Sequence, residues 1–482
     1  MLEQYEPQKF FYWFERITQI PRPSCHEEQI CNFLEDFAKK HGFPYHRDET
    51  HNILMRVAAS EGREHEPPLL LQSHTDMVAE KDENIQFDFL SEPIRLKVIG
   101  NELHADGTTL GADDASGMAI MLAIADSPEV SHPPLELLFT AQEEIGLKGI
   151  QKFDFSLIRS RRMFNLDCGR MHLIGVSSAG ALTAVVEEAF ETVHTDGMLI
   201  ELHICGGRGG HSGLEIHNNR ACAANLLGEM MLDSTLDRSV RFVTINTPHR
   251  PILGEITASF LVDETTVTET CTKFETKFEE IRTRYALTDP NLQCEITVLP
   301  CTEADAVSET DSQRISKLLY LLRTGVKKSD AENPEIILTS SVIELVNLKD
   351  GQFRLHYSVR AVEDQEKSLH GNILKETLHL LGFSMRVSKD YPGWQKRRNS
   401  AMVDLVDRVH ERVFGYTPGH RYIHGGVEVS IVVGAIPEMD AVAALPSMAN
   451  AHTTKELLYL DQIPDYWKLI TAVLAEKEQL QN

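Results

Sequence analysis

Three short apolar runs in the first half of the chain each empty into carboxylates or a histidine. This repetition restricts the fold more than any other feature. Leu69-Leu-Leu71 opens into Gln72-Ser-His-Thr-Asp76, the run Leu135–Phe139 into Thr140-Ala-Gln-Glu-Glu-Ile-Gly146, and Met163-Phe-Asn-Leu166 into Asp167. Short apolar runs bounded by polar turns read as buried strands. In open α/β sheets the carboxyl edge of the strands is where sites are built. Three such edges bearing acids and histidine therefore predict an α/β domain with its chemistry collected there.

The adjacent pair Glu143-Glu144 stands at the centre of this reading. Neighbouring side chains at a strand end point in different directions, so the pair can serve one centre in two ways, as metal ligand and as general base. Taken alone it is equally a solvated surface pair. His74 and Asp76, two apart in an extended segment, project to the same side. A carboxylate beside an imidazole orients the ring, fixes its tautomer and raises its basicity; on its own this too reads as a surface pair. Between these runs, Leu110-Gly-Ala-Asp-Asp-Ala-Ser-Gly-Met118 feeds the apolar helix Ala119–Ala125. Acids are favoured at a helix N-terminus, but Asp113 and Asp114 together exceed what a cap requires.

At 482 residues the chain exceeds what one hydrophobic core supports, so at least two domains are expected. Its 47 basic and 72 acidic residues leave a net charge of −25, which argues against nucleic acid or an anionic membrane as partner. The first residues show no basic segment leading into an apolar core, so no signal peptide is evident. No apolar run approaches the length of a membrane span. Eight cysteines without a CxxC pair read as reduced, mostly buried thiols of a cytoplasmic protein; the one next to chemistry is Cys168, beside Asp167.

The remaining segments order the domains. Residues 7–41 read as two helices around Pro21-Arg-Pro-Ser24, with Ser24 and Glu27 as a capping box for the second. From about residue 185 the pattern changes to one-sided strands, with Ile200, Leu202 and Ile204 alternating. Gly206–Gly213 is a glycine-rich loop that either presents His211 or simply turns; it lacks the spacing of a phosphate loop. A helix near 219–232, strands near 256–262 and 295–299, an amphipathic helix marked by Phe274, Phe278 and Ile281, a helix near 312–322, a polar loop from Arg323 to Glu335 and a strand ending at Arg360 compose an α+β insert. Tyr391-Pro-Gly-Trp394 marks the return to the first domain. Beyond it lie a helix around Met402–Val409, His424-Gly-Gly-Val-Glu428, two strand-like runs (Ile431–Ile436 and Met439–Leu445), His452 and a closing helix.

Two histidines among several carboxylates, with no cysteine, suit Zn²⁺, Mn²⁺ or Co²⁺ at a catalytic rather than a structural site. Five ligands with one shared carboxylate suffice for two ions that activate water, and one carboxylate left over can take the water's proton. The residue pattern does not by itself assign these roles.

The order Ser73-His-Thr-Asp76, Gly111-Ala-Asp-Asp114, Thr140–Gly146, Asn165-Leu-Asp167, Gly209-Gly-His-Ser-Gly213 and Ala451-His452 resembles the M20 metallopeptidases over nearly the whole chain. Pro21–Ser24, Tyr391–Trp394 and His424–Glu428 resemble the branch of that family that cleaves aminoacyl-histidine (Xaa-His, carnosine-like) dipeptides. The resemblance implies a two-domain, zinc-peptidase-like α/β catalytic domain (1–185 and 389–482) with an inserted α+β lid and dimerisation domain (186–388). It implies two divalent ions, zinc foremost with manganese or cobalt as alternatives: His74 and Asp167 on one, Glu144 and His452 on the other, Asp113 bridging. It further implies Glu143 as general base, Asp76 as the carboxylate that orients His74, and substrate roles for His211, Arg360, His424 and Glu428. A homodimer acting on small peptides, in which His211 reaches over from the partner subunit, completes the expectation; a related amidohydrolase acting on N-acyl amino acids or tripeptides, or a non-catalytic peptide-binding scaffold, is the alternative. The chain departs from the family pattern at Leu445-Pro446, where Gly-Pro is usual, at Arg250–Glu255 and at Glu215.

Overall fold

The computed structural model describes residues 1–482 apart from 233–239, 249–251 and 478–482. It is a mixed α/β structure that divides into two compact units. Unit 1 comprises Met1–Ser178, Trp394–Tyr422 and Gly426–Asn482; unit 2 comprises Ala179–Gly393 and Ile423–Gly425. Each has its own core.

The large sheet that carries unit 1 contains β1 (Tyr45–Arg47), β2 (Ile53–Val57), β3 (Leu69–His74), β4 (Leu135–Thr140), β5 (Arg162–Gly169), β6 (Leu173–Ser178), β7 (Gly419–Ile423) and β8 (Asp440–Leu445), in the order β1-β2-β4-β3-β5-β8-β6-β7. Its middle, β4-β3-β5-β8, is parallel. Every residue of β3, β4 and β8 is buried, which is why these segments read as unbroken apolar runs rather than alternating ones. The helices α1 (Gln8–Thr18), α2 (Glu28–His41), α3 (Ala112–Ala125), α4 (Ala401–Phe414), α5 (Glu428–Ala435) and α6 (Ile463–Ala475) surround it. Phe10 and Phe14 of α1, Ile120 and Ile124 of α3, and Leu469 and Ile470 of α6 enter one core with Leu71, Leu137 and Phe164 of the strands. A small antiparallel sheet joins Leu96–Ile99 and Glu102–Ala105 to Leu457–Tyr459 and Met448–Ala449.

Unit 2 is an antiparallel sheet. Gln293–Val307, Thr192–Cys205, Ile256–Val262, Arg241–Asn246, Ile337–Lys349, Gln352–Ala361, Gly180–Ala189 and Arg386–Tyr391 follow one another across it. Helices Ala223–Met231, Val267–Arg284, Glu309–Leu321 and Asp364–Leu380 belong to the same unit. Phe274, Phe278 and Ile281 are buried in its core.

Three local expectations are corrected. Ser24 does not cap α2: Glu27 stands at the N-cap and its side chain makes no capping bond, and the Ser24 hydroxyl donates instead to the Asp76 carboxylate at 2.6 Å. Ile431–Ile436 is not a strand; most of it lies in helix α5. Its residues are apolar on every side, so periodicity cannot separate a buried helix from a buried strand. Within the polar stretch Arg323–Glu335, Gly325–Ser329 is a strand paired with Ile337–Lys349. Arg250 and Pro251 lie outside the described residues, as does the side chain of Cys168.

Candidate metal centre

The carboxyl ends of β3, β4 and β5 lie side by side, because these strands are parallel neighbours. His74 ends β3, Glu143 and Glu144 follow β4, and Asp167 lies near the end of β5. Two loops complete the site. Asp113 enters where α3 begins, in non-helical backbone and joined to Asp114 by a cis peptide. His452 follows β8 in the left-handed region, φ 65°.

Together these residues form interlocking groups of three. His74, Asp113 and Asp167 offer ligand atoms within 4.8 Å of one another, and so do Asp113, Glu144 and His452. Asp113 belongs to both: its Oδ1 is 2.9 Å from His74 Nε2 and its Oδ2 3.3 Å from His452 Nε2. His452 Nε2 is also 3.0 Å from Glu144 Oε2. A third group joins His74, Glu143 and Glu144 within the same limit. The chemistry and spacing fit two divalent cations that share one carboxylate. A further observation agrees: Glu144 Oε1 is buried and has no hydrogen-bond partner, an arrangement that costs free energy unless a cation or proton meets it.

The electrostatics follow from this crowding. Burial, together with Asp113 and Glu143, pushes the Asp167 carboxyl well above its usual range. Burial and the neighbouring Glu144 and Glu428 do the same to Glu143. Burial would also raise Asp113, but hydrogen bonds from His452 and His74 outweigh it and hold the carboxyl low. Hydrogen bonds to Asp113 and Glu144 raise His452 to about 10. Divalent cations would relieve the repulsion among these acids directly.

His74 Nδ1 lies 3.1 Å from the Asp76 carbonyl oxygen and 3.5 Å from Asp76 Oδ1. A carbonyl can only accept, so Nδ1 carries a proton, and Nε2, 2.9 Å from Asp113 Oδ1, is the nitrogen that would ligate a cation on losing its own proton. The Asp76 carboxylate also accepts the amides of Glu143 at 3.0 Å and Glu144 at 3.3 Å. It thus fixes the turn that carries the acid pair.

Several residues around the site were given no part in it by the sequence. Glu27 accepts the Gln142 amide at 3.2 Å. The buried Asn52 accepts the Ala141 amide at 3.1 Å and donates to the Gly149 carbonyl at 2.9 Å, tying both ends of the Glu-Glu turn. Arg22 donates to the carbonyls of Thr75, Asp76 and Gly111, and Glu456 accepts the amides of Leu110, Gly111 and Asp113. Their partners are backbone atoms far away in the chain, and such contacts leave no local pattern.

Glu428 is also buried in unit 1. It accepts a hydrogen bond from Thr140 Oγ1 at 2.5 Å and one from Gln72 Nε2. Burial pushes its carboxyl up to about 7.

The other residues singled out from the sequence lie in unit 2. His211 Nδ1 accepts the amides of Gly213 and Leu214 at 3.1 and 3.0 Å, which assigns the proton of the neutral ring to Nε2. Glu215 accepts the His211 amide at 2.8 Å and pairs with Arg220. Arg360 Nη2 donates to Ser212 Oγ at 3.3 Å. His424 Nε2 lies 2.7 Å from Ser340 Oγ; burial, assisted by the Arg360 charge, lowers its pKa to about 4.

The model of the peptidase family M20/M25/M40 matches residues 70–476. The cytosol non-specific dipeptidase of Escherichia coli K12 is 30% identical over 479 residues, which is 98% of this chain and 99% of that one. Among solved structures, the aminoacylhistidine dipeptidase of Vibrio alginolyticus superposes with a TM-score of 0.89 at 26% identity over 99% of both chains. The aminopeptidase PepT of Bacillus cereus, at 15% identity, shares the fold with a TM-score of 0.56 over 98% of both.

Proposed function

The chain belongs to the peptidase family M20/M25/M40 and is a peptide-bond hydrolase, and from that premise we propose that it is a dinuclear metal-dependent dipeptidase acting on Xaa-His dipeptides. The observation that carries the reading is the pair of three-ligand groups sharing Asp113, with Glu143 beside them. His74, Asp113 and Asp167 would hold one divalent ion, and Asp113, Glu144 and His452 the other. When bound, such ions polarise a peptide carbonyl and make water nucleophilic at neutral pH.

The protein's own groups supply the rest. Glu143 takes the proton of the attacking water and delivers it to the leaving amine, a role suited to the acid of the pair that stands outside the two groups sharing Asp113. Asp76 holds the Glu143 and Glu144 amides and keeps base and ligand in register. In unit 2, His211 is assigned the developing oxyanion, because its neutral ring carries the proton on Nε2. Arg360 is assigned the substrate's C-terminal carboxylate, and His424 a supporting contact. Glu428 enters the reading as a residue on the substrate side. Unit 2 is read as the lid and dimerisation domain, zinc as the first choice of ion, a homodimer as the assembly and the cytoplasm as the location.

The name of the E. coli relative, a non-specific dipeptidase, favours a second reading of the same centre, with broad dipeptide specificity. Metal analysis of the purified protein, followed by hydrolysis of carnosine and a dipeptide panel with and without chelator, tests both. Two ions per chain and chelator-sensitive cleavage are expected. Absence of metal, or cleavage indifferent to chelator, overturns the proposal; equal rates across the panel replace the Xaa-His preference with the broad one.

A further inference from the structure

Asp113 is the ligand common to both groups, and within its own loop the Ala115 amide donates to the Gly111 carbonyl at 3.2 Å. The N-cap of α3, Gly111, makes no side-chain cap bond. The loop is gripped from outside by a buried acid and a buried base.

Glu456 uses both carboxylate oxygens. Oε2 accepts the amides of Leu110 and Gly111, each at 2.9 Å, and Oε1 accepts the amide of Asp113 itself at 3.2 Å. Arg22 takes the other side: its Nη2 donates to the Gly111 carbonyl, and its Nη1 donates to the carbonyls of Thr75 at 2.9 Å and Asp76 at 2.8 Å. Gly111 is therefore held at its amide by Glu456 and at its carbonyl by Arg22. It lies in the left-handed region at φ 68°, and an added Cβ would come within 2.7 Å of Arg22 Nη2, so the grip leaves no room for a side chain. Arg22 is 1% and Glu456 2% exposed. Buried charges of this kind persist where they are paired and hydrogen-bonded.

The grip joins segments that the chain keeps far apart. Glu456 lies four residues beyond His452, and 345 residues separate it from Gly111. Arg22 connects that same loop to the end of β3, where His74 sits. One ligand of each group is thereby tied to the backbone of the shared one.

We propose that Arg22 and Glu456 are positioning residues for the dinuclear centre, setting Asp113 against both His74 and His452. The proposal rests on the dinuclear reading above. Partners that orient a ligand are worth about 10- to 100-fold in metal affinity. Glu456→Gln keeps the size and hydrogen-bonding shape of one arm but turns an amide group toward the backbone N–H donors of the other.

The test is titration of the metal-free full chain with Co²⁺ followed by its visible spectrum, beside thermal unfolding of the same metal-free proteins. For Glu456→Gln and Arg22→Gln, Co²⁺ affinity lowered about 10- to 100-fold and an altered spectrum are expected in metal-free proteins that still unfold cooperatively, at a lower temperature than the parent. Glu456→Asp, which keeps the charge but retracts it, should fall between parent and Gln. Wild-type affinity and spectrum in Glu456→Gln would overturn the proposal while leaving the dinuclear reading intact. Failure of the parent to bind two equivalents would overturn both. If Glu456→Gln does not fold without metal, Glu456→Asp decides by the same titration, and loss of fold in both assigns Glu456 to structure alone and overturns the proposal.

Discussion

At Gln142 the backbone enters the left-handed region, φ 56°, and the next two amides are both taken by the Asp76 carboxylate. A short polar turn would otherwise sample many directions; here Glu143 and Glu144 leave it in fixed and different ones. Non-glycine residues held in that conformation concentrate at functional sites. Because Glu144, and not Glu143, belongs to the group with Asp113 and His452, substitution should separate the two roles. Glu143→Gln is expected to lower kcat by at least about 100-fold while two metal ions per chain are retained. Steady-state kinetics beside metal analysis would decide it, and near-normal turnover would remove Glu143 from its assigned role. At this scale the sequence was readable wherever a residue's job depends on its own neighbours, as at the acid-bearing strand ends. It assigned no role at the site to Arg22, Asn52 or Glu456, whose partners are amides and carbonyls that any residue would supply.

The elements were legible to the extent that burial is one-sided or complete over a strand's length. β3 and β4 are buried throughout and stood out as apolar runs. Helix α5 failed that test because apolar residues face every direction in it, and the edge strand Gly325–Ser329 failed because no apolar run marks it. What joins elements near the site is polar. Asn52, at the start of β2, fastens the turn after β4 at Ala141 and again at Gly149. A Cβ at Gly149 would stand 1.9 Å from the Ala141 carbonyl oxygen, so the turn closes too tightly for any other residue. Removing the amide strands buried backbone groups. Asn52→Ala is expected to destabilise the metal-free protein by about 1–3 kcal/mol. Urea unfolding of the two proteins measures it, and an unchanged midpoint would show that the turn does not depend on this cross-link.

For the whole molecule, the two units have separate cores, while all five proposed metal ligands belong to unit 1. A ligand that binds only the folded state stabilises what it binds by mass action. Calorimetry of the full chain with and without EDTA should therefore show a transition that falls on chelation, assigned to unit 1, and another that does not. A single transition shifting as one would mean that the units unfold together. That the chain would divide was foreseeable from its length and from the change of pattern along it. The crossing at Gly393 falls inside Tyr391-Pro-Gly-Trp394, the stretch read as the return; the one at Ser178 was not foreseeable, since no break in composition marks it.

Strand β8 lies between β5 and β6, strands that precede it by more than half the chain, and His452 comes after it, beyond the short strand Met448–Ala449. Synthesis on the ribosome therefore leaves a gap in the middle of this sheet until β8 has emerged. His74, Asp113 and Asp167 are available early; the group that needs His452 is not. A nascent chain that has not yet reached His452 therefore lacks one member of the second group of proposed ligands.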